Sequence, residues 1–221
     1  MIALAVGDIH APIYFNFFKE ALEEIYVEPE VVFLLGDIID TGRHHYLKKV
    51  YETIKQKFPN AKIFSVFGNN EYFEIRQFLK KEYHYFNWLD DEAVELNDYI
   101  IIGTEGILDK LTLWQRKHMP FLKDLWNKRL EKLKSLFEKY KDKKIILLSH
   151  YAPVCKTCEG DPAPRYYLCS KRFEELIRKY QPDYVFHAHC HMAKILETTI
   201  GKTKVYNASL YARNELLVLE I

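Results

Sequence analysis

Five short segments of this 221-residue chain carry side chains suited to binding metal, and each follows directly on an apolar run. They are Gly7-Asp8-Ile9-His10, Gly36-Asp37, Gly68-Asn69-Asn70-Glu71, Ser149-His150 and His187-Ala188-His189-Cys190-His191. Seven of these residues, Asp8, His10, Asp37, Asn69, His150, His189 and His191, offer oxygen or nitrogen donors, more than one tetrahedral zinc takes. Two adjacent ions sharing one carboxylate account for that number. Ions about 3.5–4 Å apart lower the pKa of a shared water and hold a phosphoryl oxygen through in-line displacement. The chemistry such a pair supports is hydrolysis with hydroxide, not a side chain, as nucleophile.

Distant segments can supply such a cluster only if the chain returns each of them to one edge. Ile2 to Val6, Val31 to Leu35 and Ile63 to Phe67 are short β-rich runs that stop at Gly7, Gly36 and Gly68. Between them, Phe15 to Tyr26 and Tyr46 to Phe58 carry apolar residues at helical spacing, and Glu71 to Lys81 reads as a third helix. Alternation of this kind predicts an α/β fold with parallel strands and crossover helices, whose ligands gather beyond the carboxyl ends of the strands. Within the pairs Asp8/His10 and His189/His191 the spacing matches extended chain, which turns alternate side chains to one side.

Ala93 to Leu96 and Tyr99 to Gly103 flank the turn pair Asn97-Asp98 and predict a hairpin. Leu122 to Tyr140 repeats apolar residues every three or four positions, with Lys123, Lys128, Arg129, Lys132 and Lys134 assigned to its solvated face, and Pro120 starts or kinks it. Ile145 to Leu148 is the next strand, and Ser170 caps a helix that runs to about Tyr180. After Pro182 the runs Tyr184 to Phe186, Ile195 to Thr199, Lys204 to Tyr206 and Leu216 to Leu219 lie too close together for helices, which predicts antiparallel pairing. No repeat, low-complexity tract or linker divides the chain, so residues 1–221 read as one domain. Residues 104–142 read as a helical insertion that either caps the cleft or mediates oligomerisation, which leaves the oligomeric state open.

Lys plus Arg (32) nearly balance Asp plus Glu (31), and the net charge of +1 disfavours nucleic acid and anionic membranes as partners. No stretch approaches the roughly 18 apolar residues of a membrane span, and the apolar start meets Gly7-Asp8 too early for a signal peptide. A cytoplasmic protein is expected. Heavy use of Lys, Glu, Ile and Tyr with little Gln resembles a thermophile's composition, and thermophiles tolerate intracellular disulfides. Cys155-Lys156-Thr157-Cys158 with Cys169 is read as a disulfide or inert thiols ahead of a zinc site, and Cys190 as turned into the core between two histidines.

The order D-x-H, G-D, G-N-N-E, isolated His and H-x-H resembles the calcineurin-like metallophosphoesterases, over Asp8 to His191. The resemblance implies two packed mixed β-sheets flanked by helices, a four-layer α/β/β/α sandwich. It implies that Asp8, His10 and His191 hold one metal, that Asn69, His150 and His189 hold a second, and that Asp37 bridges them. Two divalent ions would be the cofactor, with manganese foremost and iron, cobalt, nickel or zinc compatible with the donor set.

Three departures from that pattern matter. Asn70 stands where the family has the His of G-N-H-D or G-N-H-E, a residue associated there with phosphate contact and leaving-group departure. An amide donates a hydrogen bond but transfers no proton near neutral pH, so substrates with good leaving groups are expected. Family members that lack this His look more like phosphodiesterases, so the resemblance implies a small or nucleotide-like phosphodiester ahead of a general phosphomonoester. His44 and His45 are candidate substitutes. Thr41 replaces the phosphate-binding Arg of the protein phosphatases' G-D-x-x-D-R-G, with Arg43 displaced by two positions and assigned with Asn70 to the substrate. Ala188 replaces the Gly of G-H-x-H, and His187 is expected to point away from the metals. The competing readings are a non-catalytic scaffold of the same fold that binds protein and a metal-dependent nuclease.

Overall fold

Apolar β-branched runs bounded by glycine and turn residues form strands here, and amphipathic segments between them form helices. A computed structural model describes all residues, 1–221, in the order β1 (Ile2–Val6), α1 (Phe15–Glu23), β2 (Val31–Leu35), α2 (His45–Lys57), β3 (Lys62–Val66), α3 (Arg76–Glu82), β4 (Glu92–Leu96) and β5 (Tyr99–Thr104). The chain continues through α4 (Leu113–His118), α5 (Leu122–Lys139), β6 (Lys144–Ser149), α6 (Lys171–Tyr180), β7 (Tyr184–His187), β8 (Glu197–Ile200), β9 (Thr203–Asn207), α7 (Leu210–Arg213) and β10 (Leu217–Glu220). Two mixed sheets result, in strand orders β10-β1-β2-β3 and β4-β5-β6-β7-β9-β8.

Strand alternation produces the layers. In β2, Val31, Phe33 and Leu35 join an inner core with Ile146 and Leu148 of β6, while Val32 and Leu34 join an outer core under α1 and α2. In β6, Ile145 and Leu147 face outward onto Leu133 and Phe137 of α5 and Phe173 of α6. The sheets therefore meet face to face, each backed by helices, which is the four-layer arrangement expected.

Several local expectations are revised. The final strands are not all antiparallel: β7 pairs with β9 in parallel, β8 is an antiparallel hairpin partner outside β9, and β10 crosses to pair antiparallel with β1. Strand β8, inserted in sequence, supplies the return that a helix supplies elsewhere. The segment Glu71 to Lys81 is not one helix, because Phe73–Ile75 forms a 3₁₀ turn and the α-helix begins at Arg76. Ser170 caps α6 as expected, its hydroxyl accepting the Phe173 N–H at 3.3 Å.

Arg129 is also not solvated. It occupies the buried stripe Leu122, Trp126, Arg129, Leu133 and Phe137, where its guanidinium donates to Glu105, Asp91 and the Gly106 carbonyl. Glu105 accepts from Arg76 as well, through two bonds of 2.8 Å. Arg76 in turn donates to the carbonyls of Gly68 and Glu71, so this network ties α5 to the loop after β3.

Burial alone would raise the Glu105 carboxyl, but the attraction of Arg76 and Arg129 outweighs it and holds the group down to about 2. The depressed folded pKa stabilises the fold fully above the ordinary carboxylate range near 4.5. That contribution, on the order of 3 kcal/mol, is lost as pH falls through about 2. We expect Glu105→Gln to lower the melting temperature at pH 7 and to flatten its decline between pH 5 and 2.5. Parallel melting profiles for variant and wild type would contradict this.

Candidate metal centre

All seven donor residues lie on loops that leave the C-terminal ends of β1, β2, β3, β6 and β7. The loops after β1 and β2 run together, with Asp8 N–H donating to Gly36 O at 3.1 Å and His10 N–H to Asp37 O at 2.9 Å. The two sheets close on each other at Gly7, where any Cβ would collide with that of Ala188. This approach lets Asp8 Oδ2 accept the His189 N–H at 2.9 Å and joins ligand loops 181 residues apart.

The spacing of Asp8/His10 and His189/His191 does not act through extended chain. Asp8, His10, Asp37 and His189 adopt left-handed φ values of 59°, 43°, 47° and 67°, a region non-glycine residues enter at a cost. Four strained residues at one sheet edge are held there by the surrounding hydrogen bonds, and the turns bring the donors inward.

Asp8, His10 and His191 place donor atoms within 4.8 Å of one another, and so do Asp8, Asp37 and His150. Asp37 Oδ2 lies 3.7 Å from His10 Nε2 and 3.7 Å from His150 Nε2, one histidine of each group, and Asp8 belongs to both groups. Asn69 Oδ1 is 3.1 Å from His150 Nε2. Two buried site nitrogens, His10 Nε2 and His189 Nδ1, have no hydrogen-bond partner, and Asp8 Oδ1 and His191 Nε2 face each other 3.2 Å apart. Unpartnered buried polar atoms are costly, and convergent lone pairs of this mixture fit a pair of divalent cations.

The second nitrogens of the histidines are already engaged. His150 Nδ1 contacts Leu35 O at 2.9 Å and His189 Nε2 contacts Tyr167 O at 3.0 Å. A carbonyl accepts only, so each ring donates there and leaves its other nitrogen facing the centre. Burial and the neighbouring His150 push His189 down to about 4, which keeps it neutral. Burial would raise Asp8, but the attraction of His191, His150 and His10 holds its carboxyl well below the usual range. His187 bonds Thr157 and Ala188 through its two nitrogens and so points away from the centre, as expected.

Glu71 has a part that sequence reading missed. Fully buried, it accepts backbone N–H groups of Asp37 and Gly68 at one oxygen and of Ile38 and Ile39 at the other, at 2.7–3.1 Å. It thus clamps the loop bearing Asp37 to the loop bearing Asn69. Burial and the charge of Asp37 raise its carboxyl, while the N–H donors favour the ionised form. Its position just after Gly68-Asn69-Asn70 was the one available signal.

Asn70 and Arg43 are placed differently from the ligands. The Asn70 side-chain N–H donates to Asp37 Oδ2 at 2.7 Å and its oxygen accepts the Thr41 N–H at 3.1 Å, so both ends of the amide orient the loop. Arg43 is half-exposed and sits 3.6 Å from Asp40. His44 contacts the Tyr83 hydroxyl and His45 packs on Tyr46, and neither joins the donor cluster.

The four cysteines form disulfides Cys155–Cys169 and Cys158–Cys190, which sets aside both the zinc alternative and a Cys155–Cys158 bridge. Cys190, between His189 and His191, is buried and bonded to Cys158. The bridges fasten residues 155–169, which include the Tyr167 carbonyl, to the last ligand loop.

A cavity of about 620 Å³ opens beside the donors, bordered by Asn69 and His189 and roofed by α4, with Trp114, His118 and Met119 in its wall. Helix α5 instead packs on the second sheet as the crossover between β5 and β6. No helix is long and apolar enough to cross a membrane.

Among known proteins, the chain is 24% identical over 217 residues to a probable glycerophosphodiester phosphodiesterase from Arcobacter nitrofigilis, covering 91% of this chain and 70% of that one. Its fold is similar to that of the phosphopantetheinyl hydrolase of Mycobacterium tuberculosis, with TM-score 0.71, 12% identity, and coverage of 96% of this chain and 90% of that one. A dimetal phosphatase from Danio rerio matches with TM-score 0.56 and 12% identity, over 94% and 86% of the two chains. A sequence profile of the calcineurin-like phosphoesterases matches residues 1–193. Sequence and architecture agree: the chain belongs to the calcineurin-like phosphoesterase family, whose members work through a dinuclear divalent-metal centre.

Proposed function

We propose that this protein is a phosphodiesterase for a small or nucleotide-like phosphodiester. Asp8, His10 and His191 are assigned to one divalent ion, Asn69, His150 and His189 to the other, and Asp37 to both. The observation that carries the reading is Asp37 Oδ2, 3.7 Å from a histidine of each group, in a site where His10 Nε2 and His189 Nδ1 have no hydrogen-bond partner. When bound, the ions would supply Lewis-acid activation of a phosphoryl oxygen and of an attacking water. Manganese is the first choice, since carboxylate, amide and imidazole together suit it.

The chain's own residues do the rest. Asp8 and Asp37 balance the charge of the ions, and the Leu35 and Tyr167 carbonyls fix the rings of His150 and His189. Asn70, bound to Asp37, orients that carboxylate and offers no proton to a departing alkoxide. Arg43, half-exposed beside Asp40, is assigned to the substrate's free anionic oxygen. Missing proton donation favours a substrate whose leaving group departs unaided, and the preference for a diester is supported by the phosphodiesterase name of the Arcobacter relative. Retention of these buried, convergent donor atoms argues against a scaffold without catalysis. We further propose that residues 1–221 act as one domain, that α4 caps the site, and that the protein is cytoplasmic; its disulfides then fit a thermophilic source.

The test compares bis-p-nitrophenyl phosphate with p-nitrophenyl phosphate in the presence of manganese. Metal-stimulated turnover with higher kcat/KM for the diester is expected, and a monoester preference would refute the assignment. Asn70→His should raise turnover of phenyl phosphate, whose leaving group needs protonation, by roughly 10-fold or more relative to p-nitrophenyl phosphate. An equal change for both esters would show that position 70 does not govern leaving-group departure.

A further inference from the structure

The cavity beside the donors has the wrong walls for a small polar alcohol. Tyr72, Phe73, Leu108, Trp114, Met119 and Leu122 line it, and at about 620 Å³ it falls within the range of small-molecule sites. The charged groups on its floor are spent on one another. Arg76 donates to Glu105 and to two backbone carbonyls, and Glu105 also accepts from Arg129. A second phosphate would find no unpaired arginine or lysine among the lining residues.

The roof is built for stacking. Thr112 and Gln115 form a reciprocal capping box that fixes the start of α4. Trp114 stacks on His118, with ring centroids 4.9 Å apart and planes 29° apart, yet remains 61% exposed. Tyr72 and Phe73, across the cavity, are 44% and 45% exposed. Exposed aromatic faces over an apolar cavity are ready for a flat ring, and Glu74 and Gln115 at the border can meet polar atoms on its edge.

We infer that this cavity is a subsite for an uncharged aromatic ring of nucleobase size, carried on one ester arm of the substrate, with Trp114 as its stacking residue. The inference rests on the phosphodiesterase reading, because Asn69 and His189 belong both to the cavity border and to the proposed metal ligands. It names α4 as the element that selects the substrate.

Two p-nitrophenyl diesters test it with the leaving group held constant: one whose other arm is thymidine 5′-phosphate and one whose other arm is ethyl. The thymidine ester should have a kcat/KM roughly 10-fold higher, and Trp114→Ala should bring the two within about threefold. Trp114 is the one exposed tryptophan, since Trp88 and Trp126 are buried, so its folding role is small and its emission reports the cavity directly. Uncharged thymidine should quench that emission saturably in the native protein and not in Trp114→Phe. A substrate ratio unchanged by Trp114→Ala, a preference for the ethyl ester, or absence of saturable quenching would overturn the subsite. Absence of metal-dependent turnover of both esters would overturn the phosphodiesterase reading, and thymidine quenching would then decide the subsite alone.

Discussion

Asp37→Asn is expected to eliminate metal-dependent turnover while leaving the protein folded. Asp37 is the carboxylate proposed to bridge the ions, 3.7 Å from His10 and from His150. Both of its oxygens already accept hydrogen bonds from Asn70, one from the backbone N–H and one from the side chain, at 2.7 Å each. An amide of the same shape can satisfy one of those donors and must oppose the other, and it no longer carries the charge that two cations share. Loss of a mere outer partner of a metal ligand costs about 10–100-fold, so loss of the bridge should cost roughly 100-fold or more in kcat/KM. Steady-state kinetics with manganese, beside a thermal melt, check this. Wild-type kinetics in Asp37→Asn would remove the bridge assignment.

Glu71→Gln should be the most damaging conservative change to stability. Each oxygen of Glu71 accepts two backbone N–H groups, and an amide turned either way sets its NH₂ against two of those donors. Two buried N–H groups left without acceptors cost about 1–3 kcal/mol each. For a chain of this length that is a fall of about 5–20 °C in melting temperature. Because the donors belong to the Asp37 and Asn69 loops, metal affinity should fall with it. A melting temperature within about 2 °C of wild type would contradict the clamp.

The parts of the fold visible in the sequence were those written in local patterns. Apolar runs ending at Gly7, Gly36 and Gly68 marked strands β1 to β3 and the loops that bear the candidate donors, because a strand must bury its faces and these crowded exits leave no room for a Cβ. Pairing between distant strands was not written locally. The parallel β7–β9 pair and the crossing of β10 to β1 follow from where the second sheet closes, so hairpin spacing misled.

The same division runs through the site. The candidate donor types and their order could be read, but not the left-handed turns at Asp8, His10, Asp37 and His189, since nothing short of the surrounding bonds makes a non-glycine residue accept them. Arg129 was readable and misread: it stands three residues after Trp126 and four before Leu133, in phase with the buried stripe, but charge outweighed phase. The backbone carbonyls of Leu35 and Tyr167, which orient His150 and His189, leave no trace in residue type. The cavity under α4 needed the fold, because Trp114 and His189 are 75 positions apart.

Counting the metal bound by each chain tests the central claim most directly. Protein freed of metal with a chelator, dialysed to equilibrium against manganese and assayed for bound ion, should hold two ions per chain in the wild type and fewer in Asp37→Asn. A folded wild-type chain that retains no ion, or an Asp37→Asn chain that still holds two, would contradict a dinuclear centre built on that carboxylate.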